Sequence, residues 1–125
     1  MSSLAVAERV VRNLHPLDYD NGRISSSAFN PSASHGFKLS LDRLMLTSAN
    51  DAYDRHKNSG LATVGVCGVL VEDFNFQSIN CFEDKLPTNP AHCFADFSPF
   101  GTSDRKRKAR ELANKSALYG LDYVP

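Results

Sequence analysis

Residues 61–71 read LATVGVCGVLV, residues 77–82 read QSINCF and residues 91–97 read AHCFADF, with the corner PTNP at 87–90 before the last of them. The first stretch is β-branched and small, which predicts a central strand from Ala62 to Val71, with Gly65 and Gly68 admitting a close neighbour. A turn near Asp73 to Asn75 leads to a strand over Gln77 to Phe82, antiparallel to its neighbour because the connection is short. In Ala91 to Phe97, Ala91, Cys93, Ala95 and Phe97 share one side, and His92, Phe94 and Asp96 the other. The chain's densest apolar sequence thus brings a histidine, a cysteine and an aspartate to one element after a rigid corner.

Outward from this centre, Phe37, Leu39 and Leu41 alternate with Lys38, Ser40 and Asp42, the pattern of a half-buried strand. Thr47 or Ser48 caps a helix through about Lys57, with Ala49, Ala52, Tyr53 and His56 on one face and Gly60 as its stop. Leu4, Ala7, Val10, Val11 and Leu14 recur at helical spacing behind Ser2 or Ser3, predicting a first helix that His15-Pro16 ends. Residues 15–36 form a long polar loop, within which Arg23 to Phe29 is a brief extended piece. Ser103 or Asp104 opens a basic amphipathic helix over 104–119, closed by Gly120, and the apolar tail Leu121 to Pro125 packs back on the body.

The expected fold is α+β: a small, mainly antiparallel sheet of three to five strands, with three helices on one face. Its core is drawn from Phe37, Leu39, Leu41, Val64, Val66, Val69, Val71, Ile79, Phe82, Leu112 and Leu118. At 125 residues, 42% of them hydrophobic, the chain reads as a single compact domain over 1–125. Fourteen basic residues balance fourteen acidic ones, which argues against a dedicated nucleic-acid coat or a membrane-surface binder. Cys67, Cys81 and Cys93 are an odd set without paired spacing, so they read as buried free thiols rather than a metal site. With no signal segment and no stretch of about 20 apolar residues, the expectation is a cytoplasmic protein without membrane contact.

Three places could carry chemistry. His92 alternates with Asp96 beyond the corner that Asn89 caps. With His15 and Ser26 of the polar loop in the same cleft it would form a histidine–serine or histidine–carboxylate site, flanked by Arg23 and Phe29. Against this stand a structural histidine tying the corner, a plain turn at Asp18 to Gly22, and serines bonded to local backbone. Arg105, Lys106, Arg107, Lys108, Arg110 and Lys115 put six cations within eleven residues. They would grip phosphates, or stand in solvent or pair with Asp104, Glu111, Glu83 or Asp84. Gly65 to Gly68 lacks the third glycine of a dinucleotide fingerprint.

Phe29-Asn30-Pro31, Gly36-Phe37-Lys38-Leu39-Ser40 and the Ala49/Ala52 helix together resemble the layout of NAD-handling ADP-ribosyltransferase-like toxin domains, over about a quarter of the chain. The resemblance implies an enzyme directed at a nucleotide or NAD. Asp54 stands where those families carry a glutamate, so Glu72 would have to serve from a later strand. With no catalytic signature of fixed spacing, the leading expectation is a small binding or accessory protein acting through protein contact, such as an antitoxin, immunity or regulatory partner. A nucleotide- or NAD-directed enzyme is the alternative, and nucleic-acid binding through the basic helix is the third class. No particular cofactor follows from the sequence.

Overall fold

A computed structural model describes residues 4–125. Its main sheet has five strands, all paired antiparallel: β1 (Arg9–Asn13), β4 (Lys38–Arg43), β5 (Val66–Leu70), β6 (Asn80–Glu83) and β7 (His92–Asp96), in the order β5-β1-β4-β7-β6. A second, two-stranded ribbon joins β2 (Tyr19–Asp20) to β3 (Arg23–Ile24), both from the polar loop. The helices are α1 (Ala49–Asn58), α2 (Val71–Phe76) and α3 (Thr102–Tyr119). The α+β class is as expected from the sequence. Among the described residues no helix is long and apolar enough to cross a membrane.

The elements with clean periodicity form as read. Ser48 caps α1, its hydroxyl accepting from Asp51 N at 3.0 Å. In β7 the alternation holds, with Cys93 and Ala95 buried on the core side and His92, Phe94 and Asp96 half-buried on the other. Gly120 ends α3. The three thiols are buried and form no disulfide.

Four expectations need correction. The amphipathic first helix is instead strand β1; Ser2 and Ser3, offered as its cap, lie outside the described residues. Val10 and Val11 are both fully buried because the sheet is covered on both sides at this point, Val10 by the main core and Val11 by Tyr53 and Tyr123. Two adjacent buried valines imitate a helical stripe, and their β-branching favours the strand.

The run 62–71 is not a central strand but supplies β5 at an edge. Its free side is capped by the tail, with Val66 N donating to Tyr123 O at 3.0 Å and Asp122 N to Val66 O at 2.7 Å. Arg9 clasps Asp122 with two hydrogen bonds of 2.7 Å. The edge is therefore hidden from other chains. A side chain on Gly65 would collide with Tyr123 O at 2.6 Å and one on Gly68 with Val10 O at 2.4 Å, which is the close approach both glycines permit.

The expected turn at Asp73 to Asn75 is helix α2, started by Asp73 accepting from Leu70 N at 2.9 Å. It carries the chain from β5 to the far edge, so β6 begins at Asn80 and pairs with β7 rather than with β5. Finally, the helices do not share one face. Ala109, Leu112 and Ala113 of α3 and Phe74 of α2 cover one side of the sheet, while α1 packs on the other through Tyr53 against Val11 and Val66. The stripe of α3 ends at Ser116, so Leu118 points outward and is 84% exposed. Phe37 and Phe82 are only half-buried.

Candidate functional site

Because α1 packs on β1 and β5, among the described residues no helix packs to a comparable extent on the His92/Phe94 face of β4, β7 and β6. Where helix and bare sheet meet lies a cleft of about 260 Å³, lined by Val11, Arg12, Asn13, Ser40, Leu41, Asp42, Ala52, Arg55, His56, Ser59, Asn89 and His92. Four of these side chains are cationic or can become so, and Asp42 is the one carboxylate among them.

Arg12 owes its position to a break in the sheet. The β1–β4 ladder stops after Val10↔Arg43 and Val11↔Asp42, so Arg12 has no ladder partner in β4. Its guanidinium reaches across instead and donates to Ser40 O at 2.7 Å. The group is desolvated, which lowers its pKa below the ordinary arginine value; Cys67, Asp18 and Asp42 oppose the shift only in part. Its Nε is buried without an acceptor, and among the described residues Arg12 makes no ion pair.

Arg55 enters from α1. It lies 3.5 Å from Asp42 Oδ2, close enough for charge attraction but without hydrogen-bond alignment, and that nitrogen is also buried without an acceptor. Asp42 spends its other oxygen on Asn89 Nδ2 at 2.6 Å, and Asn89 Oδ1 accepts from Ala91 N at 3.2 Å. Asn89 thus serves as the turn cap expected of it and also fixes the cleft's carboxylate. His56, one helical turn from Ala52, has its pKa lowered, first by burial and then by the charge of Arg12, with Asp42 opposing. His92 is held by Asp84, whose carboxylate and backbone oxygen both lie 3.1 Å from Nδ1. Nε2 remains as the ring nitrogen free to meet a ligand.

Of the other residues singled out in the sequence, His15 and Ser26 do not join His92. His15 is exposed and accepts from Leu17 N at 3.1 Å, capping the short turn Pro16–Asp18. Ser26 starts the turn Ser26–Phe29, which packs on α3, on the opposite side of the sheet from His92. Neighbouring Ser25 and Ser27 bond Asp18 and each other. Phe29 is a fully buried core residue, out of reach of a ligand. Arg23 is exposed on β3, and Asp96 caps a turn by accepting from Ser98 N at 2.9 Å. Asp54 is exposed on α1 and Glu72 exposed on α2, neither lining the cleft.

The basic run divides rather than forming one patch. Arg105 donates to Phe100 O and lies 3.7 Å over the Phe37 ring. Lys108 is buried, donating to Gln77 O at 2.5 Å beneath the Phe100 ring. Arg107 pairs with Asp104 at 3.4 Å, while Lys106 stands in solvent. Glu83 and Asp84, offered as partners for this run, serve Arg43 and His92 instead. Among the described residues no three histidine, cysteine or acidic side chains gather as metal ligands. No protein-family model, curated protein or solved structure matches the chain.

Proposed function

We propose that the cleft between α1 and the bare half of the sheet binds a small phosphate-bearing ligand. One observation carries the reading. Three buried side-chain polar atoms lack a hydrogen-bond partner among the described residues, and two of them, Arg12 Nε and Arg55 Nη2, are guanidinium donors of this one cleft. Native proteins satisfy nearly all such atoms, and among the described residues Arg12 has no ion pair while Arg55 only approaches Asp42 at 3.5 Å, so the single carboxylate of the cleft leaves positive charge uncompensated. A phosphate supplies acceptors in the planar, paired arrangement that guanidinium groups fit. His92, oriented by Asp84, lines the same cleft, so the site suits chemistry on a phosphate ester as well as binding.

Calorimetric titration with ribose 5-phosphate and with inorganic phosphate tests this. Binding of at least one of them, weakened tenfold or more by Arg12→Met and by Arg55→Ala, is expected. A wild-type protein indifferent to both at millimolar concentration would sink the proposal.

A second reading, contact with a protein partner in an antitoxin, immunity or regulatory role, is favoured by two apolar side chains set far into solvent, Phe76 at 87% and Leu118 at 84% exposure. The apolar tail is occupied with β5 and is not available for that role. Co-purification of a stoichiometric partner that Phe76→Ser releases would support it. Three buried thiols without a disulfide suit a reducing compartment, and on that ground we propose a cytoplasmic location.

A further inference from the structure

Beside the cleft, on the same face, two aromatic rings lie where the sheet has no cover. Phe82 of β6 and Phe94 of β7 are register partners, their ring centroids 5.5 Å apart and their planes 35° from each other. Both are half-buried, so one side of the pair is open. Lys38 lies 5.0 Å from the centroid of Phe94, and exposed Ser40 is the register partner of Phe94. The pair is half-buried, with Lys38 over one ring, and lies beside the cationic cleft.

Resting on the phosphate-binding reading, we propose that the ligand is a free nucleoside 5′-monophosphate, its phosphate between Arg12 and Arg55 and its base stacked on Phe94 and Phe82. His92 and Phe94 are two residues apart on one strand face, about 7 Å along β7, so a ligand lying along the strand would pass from the cleft's His92 to the rings over roughly the length of a ribose. Ser40 offers its hydroxyl beside that path. Stacking on phenylalanine tolerates any base and adds about a tenfold or greater gain per base. The occupant is a single nucleotide: beyond the rings Lys38 of β4 stands opposite Asp96 of β7 in register, so no net positive charge there awaits a continuing phosphate backbone, and the chain as a whole carries no net charge.

The experiment compares adenosine monophosphate with ribose 5-phosphate by calorimetry, in wild type and in Phe94→Leu and Phe82→Ala, with a ten-nucleotide oligoadenylate as a further probe. The expected result is adenosine monophosphate at least tenfold tighter than ribose 5-phosphate, with that advantage lost in Phe94→Leu and reduced in Phe82→Ala while ribose 5-phosphate affinity holds. Phe94→Leu keeps the apolar volume, and unchanged ribose 5-phosphate binding certifies its fold. Equal affinity of wild type for the two ligands would overturn the nucleotide assignment and leave the phosphate site standing. Absence of binding by either would remove both. An oligonucleotide binding much tighter than the monophosphate, with a salt dependence steeper than one phosphate contact gives, would replace the free nucleotide by a strand.

Discussion

Arg12 and His56 line one cleft, and the charge of the arginine helps to hold the histidine below its ordinary pKa, with Asp42 as the opposing carboxylate. Neither side chain is bound to a carboxylate of its own. Two groups that disfavour each other's charge, kept together, mark a place where an outside anion lowers the energy of both.

The histidine's titration reports this directly. With its folded pKa below the ordinary value of 6.5, His56 binds fewer protons in the native than in the unfolded state. Its contribution to stability is complete above pH 6.5 and declines as the pH falls through the window between that value and the lower native one. Proton NMR of the four histidines should find His56 titrating below 6.5, and saturating phosphate should move it upward by offsetting Arg12. A midpoint insensitive to phosphate would separate His56 from the anion site.

Replacement of Arg12 divides function from stability. Arg12→Met removes the hydrogen bond to Ser40 O but also relieves a desolvated charge, and such exchanges are often neutral or stabilising. The free variant is expected to unfold at the same denaturant concentration as wild type or higher, by up to about 1 kcal/mol, while losing phosphate binding. A loss above about 2 kcal/mol would instead identify the guanidinium as a strut that holds β1 to β4 where their ladder ends.

Gly68 offers a sharper test of the fold. Opposite Val11 in the β5–β1 ladder, it has Val10 O 2.4 Å and Val11 Cγ1 2.7 Å from where a Cβ would sit. The first obstacle is backbone and cannot rotate away. Gly68→Ala should therefore destabilise by roughly 3 kcal/mol or more, the cost of an overpacked core site, read as a fall in melting temperature. A melting temperature within a degree or two of wild type would mean that the β5–β1 spacing is looser than described.

What could be read from the sequence follows from how many neighbours each pattern needs. β7 and α3 alternate against a single covering layer, so their burial is a local property and Cys93, Ala95, Ala109 and Leu112 were assignable. β1 is buried on two sides by elements distant in the chain, and that doubles the apolar signal until it resembles a helix. The short α2 is stabilised by Phe74 meeting Phe97 edge-on at 6.4 Å, a contact that no window around Asp73 contains. The cleft has the same origin. Arg12, Arg55 and His92 come from three separate elements with no characteristic spacing, and only their meeting makes a site. One signal was present: an arginine set directly after Val10-Val11, and a histidine on the packed face of the Ala49/Ala52/Tyr53 helix, are charged or chargeable groups in positions that demand burial.

The three thiols provide a last prediction, since their chemistry depends on the same packing. Burial raises the pKa of each: Cys81 is pushed up to about 12, with the charge of Glu8 adding to the effect, and Cys67 and Cys93 also rise. A thiol so placed carries almost no thiolate near neutral pH and has no path to reagent. An aromatic disulfide reagent added to the native protein should therefore release less than one equivalent over the time in which denatured protein releases three. Cys81 and Cys93 sit on neighbouring strands β6 and β7 behind Phe82 and Phe94, so their labelling follows opening of the strands that carry the ring pair. If adenosine monophosphate binds there, it should slow the labelling of those two in proportion to its occupancy, while a Cys81→Ala, Cys93→Ala protein should retain only the Cys67 rate. Fast labelling of native Cys81 or Cys93 would show that the β6 edge opens readily, and the aromatic platform would then lack the rigid support that stacking requires.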